Sequence, residues 1–391
     1  MKLLVIGMGQ CGGRIADQFA RMGRRARRER GIEAITDTYA INTDVADLSG
    51  LSHIKTDYQH RITIGGRKTG GHGVGKINDL ASEIARDDAD KVIDAIRKAK
   101  RFFESDAFLL VASTAGGTGS GSIPVISQAL KSRYIDKPVY ALLVLPFEHE
   151  ESTEVRTVYN TATCLKSVSS VVDAVFLVDN QRYIKKDATL RNNMVRINEL
   201  IVEPFYDLLC AGEEKKTKYI GSRLIDAGDI IQTLSGWSVL GYGKSQLPLF
   251  RLPFVNRVNF RTKSSETHKG IQTMDAAISE LSLECNPSDS VKAMYLLSAP
   301  AKEMNMDLVK ELGDSLRNIA PEALIRYGDY PRRGGLLTVT VILSQLKEVN
   351  KVRSYYTAFS DVTARNDKVE NDIEAGVERL ADASAAVPSL L

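Results

Sequence analysis

Residues Ala115-Gly116-Gly117-Thr118-Gly119-Ser120-Gly121 have the types and spacing to bind an anion. They follow an apolar run at 107–112 and precede Ile123-Pro124-Val125-Ile126-Ser127-Gln128-Ala129-Leu130, which can continue as a helix. Glycine lets backbone N–H groups approach phosphate oxygens with no Cβ in the way, and a helix N-terminus adds positive dipole. The Thr118 and Ser120 hydroxyls add donors. Three or four such bonds to a charged group, at about 1.5–3 kcal/mol each, suffice to hold a triphosphate. The competing reading is a flexible surface turn, which strict small-residue spacing between two apolar elements disfavours.

Other motifs offer related chemistry. Gly7-Met8-Gly9-Gln10-Cys11-Gly12 follows the first strand, opens a helix and matches GxGxxG, a phosphate-binding strand–helix turn. A NAD reading wants an acidic residue ending the second strand, and Asp44 in Ile41-Asn42-Thr43-Asp44 can serve; that reading has no use for a second cradle at 115–121. Gly70-Gly71-His72-Gly73-Val74-Gly75-Lys76-Ile77 nearly spells a P-loop, but Ile77 stands where a Mg²⁺-holding hydroxyl is required and no clear strand precedes it. A Walker A assignment is rejected. Gly71, His72 and Gly73 stay as a γ-phosphate contact, with a mobile glycine loop as the alternative. Ser120 is no nucleophile elbow, because Thr118 and Ser122 occupy positions where GxSxG demands glycine.

Asp179 and Asn180 end a strand, and Asn198 lies in the helix that follows. Guanine offers O6 beside N1–H and N2–H₂, edges that amide and carboxylate side chains match; singly, such residues serve as caps and turns. Asp226 and Asp229, three apart, share one face of a helix start, which is also the pattern of a capped N-terminus. The cluster Arg21, Arg24, Arg25, Arg27, Arg28 and Arg30 reads most simply as a solvated face.

The elements that must position these residues follow from periodicity. Short apolar strands at 2–6, 38–42, 107–112, 139–145 and 174–178 alternate with helical segments, predicting an α/β fold with a Rossmann-like parallel sheet over 1–188. One long helix is predicted over 76–104, and another over 190–210, with Pro204 inside it as a bend or break. The central helix occupies 189–211, and 212–216 reads as a surface turn. A second, α+β domain spans 212–391: helix 226–235, a loop-rich stretch 236–256, helices 267–283 and 305–318, strands 291–298 and 336–343, and a charged surface helix 365–386.

The 391 residues suffice for two cores. Net charge is only +3, so no nucleic-acid partner is expected. Cys11, Cys164, Cys210 and Cys285 are far apart without CxxC, which indicates neither zinc nor disulfides and fits a reducing cytoplasm. No secretion signal precedes the first strand, and no apolar run reaches the roughly 20 residues of a membrane helix. A soluble cytoplasmic protein is expected.

In their order, these motifs resemble the tubulin/FtsZ superfamily. Gly9-Gln10-Cys11-Gly12 resembles its first phosphate loop, Asn42-Thr43-Asp44 the second, Gly71-His72-Gly73 the third, and 115–121 the GGGTG[ST]G signature. Asp179-Asn180 and Asn198 match base-contacting positions, and Asp226 and Asp229 the acidic synergy loop. Three positions depart: Ala115 replaces the first signature glycine, Met194 the base-stacking aromatic, and Leu224 the asparagine opening NxDxxD. The pattern is most similar to the archaeal tubulin-like CetZ group, linked to cell shape rather than division.

The resemblance implies a GTPase binding GTP or GDP with Mg²⁺ and self-associating into head-to-tail protofilaments. Asp226 and Asp229 would complete the neighbour's site, and Glu148 or Glu150 would hold the ribose. Membrane recruitment stays open. The alternatives are an NAD(P)-dependent oxidoreductase, a non-hydrolysing nucleotide-binding regulator, a filament indifferent to nucleotide, and an FtsZ-type division GTPase.

Overall fold

Unbroken apolar runs become parallel strands buried on both faces, because helices cover each side of such a sheet. The computed structural model describes residues 1–184, 190–247 and 260–360. Its strands are β1 (Leu3–Met8), β2 (Ile35–Asn42), β3 (Arg61–Thr63), β4 (Ala107–Ser113), β5 (Val139–Leu145), β6 (Ala174–Asp179), β7 (Gly236–Gln246), β8 (Ser290–Ala299), β9 (Leu324–Pro331) and β10 (Leu336–Leu346). They form one sheet in the order β3-β2-β1-β4-β5-β6-β7-β10-β8-β9. Pairing is parallel from β3 through β7; β10 runs antiparallel to β7 and β8, and β9 is parallel to β8.

The helices are α1 (Gly9–Arg30), α2 (Val45–Ser49), α3 (Gly66–Thr69), α4 (Asn78–Asp87), α5 (Ala89–Arg97), α6 (Gly117–Arg133), α7 (Glu148–Thr153), α8 (Val155–Ser169), α9 (Leu190–Ala211), α10 (Ala227–Thr233), α11 (Phe260–Ser279) and α12 (Met306–Ile319). A further helix covers 350–360. The core on one face joins α4, α5, α6 and α8 to α11 and α12 through residues such as Ile84, Ile96, Ile126, Leu165, Met274 and Leu312. The core on the other packs α1 and α9 through Ile15, Phe19, Phe205 and Leu208. Both continue into β8 and β10, through Leu297 and Val341 on one side and Leu296 and Ile342 on the other.

The central helix runs through Pro204 without a break. It lies parallel to α1, and three ion pairs join them: Arg21–Glu199 at 2.6 Å, Arg25–Glu203 at 3.4 Å and Arg30–Asp207 at 2.9 Å. Half of the arginine cluster is therefore an inter-helix seam rather than a solvated face. Asp207 is buried and also takes Arg332 at 2.5 Å, from the loop after β9.

Four expectations need correction. The helix over 76–104 is two helices, broken at Asp88, whose carboxylate accepts the Gly65 N–H at 2.7 Å. Residues 236–246 are strand, not loop: a Cβ on Gly241 or Gly243 would fall on the carbonyl of Ala277 or Thr273, so these glycines let α11 lie directly on β7. The helix set at 267–283 starts at Phe260 and ends at Ser279. Strands β3 and β9 were not anticipated. The charged segment 365–386 lies outside the described residues.

Candidate nucleotide-binding site

Parallel strands deliver their C-terminal ends to one edge of the sheet, so the loops after β1, β2 and β4 must meet there. Gly9 has φ +68°, and a Cβ on it would lie 3.0 Å from the Gly119 amide nitrogen, so the first and fourth loops touch. The Thr43 and Thr118 hydroxyls meet at 2.7 Å. The third loop closes against the second: the Val45 N–H donates to Gly71 O at 3.1 Å, and Asp44 and His72 form an isolated antiparallel bridge. It also closes against the fourth, where a Cβ on Gly117 would lie 2.6 Å from Val74 Cγ2 and 2.9 Å from the Ile77 nitrogen. Residues 71–73 and 115–121 thus lie side by side.

Two helices open into this cluster. α1 starts at Gly9 and α6 at Gly117, and neither has a side-chain cap or an acidic residue in its first turn. The first N–H groups of a helix lack partners within it, so both ends present donors and positive dipole together. Gly116 precedes α6 in extended conformation, with open space where a Cβ would stand. Ala115, in place of glycine, is buried, and its carbonyl accepts from Asn160 Nδ2 at 3.1 Å. The same amide donates to Lys76 O at 2.9 Å, so Asn160 fastens the third loop to the fourth. Ser120 Oγ turns back onto the Gly116 and Gly117 carbonyls, which is a structural role and not a nucleophile's.

Asp47 joins the first two loops, accepting from Gln10 Nε2 at 2.6 Å and Asn42 Nδ2 at 3.0 Å. Asp44 caps α2 with one carboxylate oxygen, Oδ1, which accepts the Ala46 and Asp47 N–H groups at 2.8 and 3.2 Å. Beside Gly12, burial pushes the Cys11 thiol up to about 12, so it stays neutral.

From Gln10 a cavity of about 760 Å³ extends along α1 to α9. Gln10, Arg14 and Gln18 form one wall, Phe147, His149 and Glu150 another, and Met194, Val195 and Asn198 a third. Asn198 thus shares a cavity with Gln10 of the first loop, and Met194 stands in the same wall; residues 71–73 and 115–121 are not among its lining. Glu150 lines the cavity while its carboxylate accepts the Phe147 N–H at 3.0 Å; Glu148 is not among the lining residues. Asp179 and Asn180 are buried at the end of β6, outside this lining, and Asp179 caps the next turn through the Gln181 N–H at 2.9 Å. Arg14, Gln18 and Asn160 were not singled out from the sequence; the α1 pair shows only as a polar stripe following the first glycine loop.

Asp226 and Asp229 sit elsewhere. They form a reciprocal capping box on α10: Asp226 accepts the Asp229 N–H at 2.9 Å, and both are solvent-accessible. Arg326 Nε lies 3.4 Å from Asp229. α10 leads into β7, whose first residue pairs with the first residue of β6, at the edge where parallel strands begin. The acids and the phosphate loops are therefore separated by the length of a strand, roughly 20 Å for six or seven residues.

A Rossmann-like sheet with three convergent glycine loops, a central helix and an acidic turn at its far edge defines a tubulin/FtsZ-type fold. The model of the tubulin/FtsZ family GTPase domain matches residues 2–186, and that of the tubulin-like CetZ C-terminal domain matches 187–360. Tubulin-like protein CetZ1 of Haloferax volcanii is 32% identical over 88% of this chain and 87% of its own. CetZ of Pyrococcus abyssi is 30% identical over 76% of each. The chain belongs to the tubulin-like CetZ family. Among solved structures, the GDP-bound monomer of CetZ1 from Haloferax volcanii matches with TM-score 0.79 at 28% identity, covering 93% of this chain and 100% of that one. The GTPγS-bound protofilament of CetZ2 from the same organism matches with TM-score 0.80 at 26% identity, covering 94% and 100%.

Proposed function

We propose that this protein binds GTP at the loop cluster, stacks head to tail into protofilaments, and hydrolyses GTP where one subunit meets the next. One observation carries this reading: the phosphate loops and the Asp226–Asp229 turn lie at opposite edges of one parallel sheet. Such a pair cannot meet within a subunit, but a head-to-tail contact brings one copy's acids onto the next copy's loops, and a contact of that kind propagates instead of closing. The GDP-bound CetZ1 monomer and the GTPγS-bound CetZ2 protofilament support both the ligand and the assembly.

In this reading residues 1–188 hold the nucleotide, 189–211 connect, and 212–391 supply the acids. Amides of the α1 and α6 first turns hold the phosphates, Gln10 and Glu150 face the ribose, and Asn198 reads the base edge. Asp226 and Asp229 orient the attacking water, with Arg326 steadying Asp229, so catalysis is positioning and electrostatics. Among the described residues there is no group of three or more His, Cys, Asp or Glu side chains able to hold a metal. Mg²⁺ would then rest chiefly on phosphate oxygens and water, its usual habit in phosphate sites, and offset their charge. The filaments would be cytoplasmic and act in cell shape, as the CetZ likeness suggests; no described helix is long and apolar enough to cross a membrane.

The test is phosphate release from GTP and ATP across a protein dilution series, with sedimentation alongside. Turnover per subunit should rise with concentration, for GTP only, in step with pelleting. Turnover independent of concentration would sink the shared site.

A further inference from the structure

We propose a second anion site, for a small multivalent phosphoanion, in the cavity between α1 and the outer part of the sheet. This cavity, of about 520 Å³, is large enough for a small ligand. Its walls carry Arg24 and Arg27 from α1, Lys55, and Lys98, Lys100 and Arg101 from the end of α5 onward, against a single carboxylate, Asp37.

The charges do not cancel within the protein. Asp37 is already matched by Lys55 at 3.1 Å and His60 at 3.2 Å. Arg27 pairs with Glu33 at 2.9 Å, and Arg101 with Glu33 and Glu104. Among the described residues Arg24, Lys98 and Lys100 have no carboxylate partner; Arg24 donates only to the His53 carbonyl, at 2.9 Å. Three unmatched cations converge on one concave site, where low-dielectric walls focus their field. The arginines the sequence offered as a solvated face thus divide: Arg21, Arg25 and Arg30 turn to α9, Arg24 and Arg27 turn here, and Arg28 stays exposed beside Glu29.

The site is distinct from the phosphate loops. It flanks Ile35–Tyr39, the beginning of β2, whereas the loops follow the end of that strand, roughly 10–20 Å away. The competing account is that these cations only complement the C-terminal dipoles of α1 and α5. That account asks for no bound anion, and a binding measurement separates the two.

The probe is inorganic tripolyphosphate, titrated calorimetrically into the full chain with and without saturating GDP. Binding should persist in GDP, weaken with added salt, and fall at least about tenfold in Lys98→Gln/Lys100→Gln, with GDP affinity and melting temperature unchanged. Lys302→Gln/Lys310→Gln, which removes two cations outside the cavity lining, should leave it intact. Loss of binding on adding GDP, equal loss in both double variants, absence of binding, or association only with phosphatidylglycerol vesicles would each overturn the proposal. Because the readout is anion binding under GDP saturation, a failure here is distinguishable from a failure of GTP-dependent assembly.

Discussion

The hydroxyls of Thr43 and Thr118 meet at 2.7 Å, with both residues buried, and this single bond ties the loop after β2 to the first turn of α6. Thr43→Val keeps the shape and removes the bond, at a cost of about 1 kcal/mol. GDP affinity should fall about fivefold with little change in melting temperature, measured by nucleotide titration and thermal unfolding. Unchanged affinity would mean that the two loops are aligned by other contacts.

Glycines of the cradle should separate into two kinds. A Cβ on Gly12 would strike the Val111 carbonyl, where α1 crosses β4, so Gly12→Ala should lose about 3 kcal/mol or fail to fold. A Cβ on Gly116 meets open space. Gly116→Ala should therefore fold normally and bind nucleotide more weakly, because that space is where a phosphate would lie. Denaturant midpoints and nucleotide titration check both halves.

Asp229→Ala should retain GTP binding and lose turnover, as a group acting on a neighbour's nucleotide requires. Asp226 needs a finer comparison because it also caps α10. Asp226→Asn preserves the cap and removes the charge, whereas Asp226→Ala adds about 1 kcal/mol of destabilisation. Equal turnover loss in the two, with lower stability only in the alanine form, is expected. Mixing Asp229→Ala with a binding-deficient partner such as Gly116→Ala should restore some phosphate release if the site is shared.

Asp207 is the structural counterpart. Its carboxylate is buried between Arg30 and Arg332, so Asp207→Ala strands two guanidinium groups beside a core. Removing one partner of a buried pair costs about 3–5 kcal/mol, which should appear as a large drop in denaturant midpoint.

His60 gives the pH dependence. Burial alone would lower the pKa of its ring, but hydrogen bonds to Asp37 and Asp57 outweigh that, together with the charge of Asp37 and against that of Lys55, and raise it above the usual histidine value. The ring also stacks on Tyr39. A raised folded-state value means the contribution is fully present below about pH 6.5 and is lost as pH rises through the folded value. Asp37 and Asp57 are held below their ordinary value by the same contacts, against burial, so their share is lost only below about pH 4. Melting temperature should be highest between those limits, and His60→Gln should flatten the decline above neutrality.

What the sequence made legible was local. Gly9 and Gly117 stand at strand–loop–helix boundaries that a short window reveals, and their convergence follows from parallel strands alone; Gly71 shows only as part of a glycine cluster, because β3 is three residues long and α3 separates it from Gly71. What stayed hidden depended on distant partners. Gly241 and Gly243 read as loop residues, because nothing in 236–246 announces that α11 will lie across them. The break at Asp88 needs Gly65, 23 positions earlier. Which wall Glu148, Glu150, Asp179 and Asn180 face depends on how α7 and the turn after β6 close, and no spacing rule carries that. The arginines of α1 spell a charged face, but only the carboxylates of α9 show which of them are taken.

The seam between α1 and α9 sets three cations against three carboxylates: Arg21, Arg25 and Arg30 on steps of four and then five, Glu199, Glu203 and Asp207 on steps of four. Two parallel combs whose teeth are spaced unequally engage fully in one position only. Were the connecting rod to slide four residues, about 6 Å, Glu203 would face Arg21 and Asp207 would face Arg25, but Arg30 would meet no third tooth and Arg332 would lose its carboxylate. The rod is therefore keyed to a single notch.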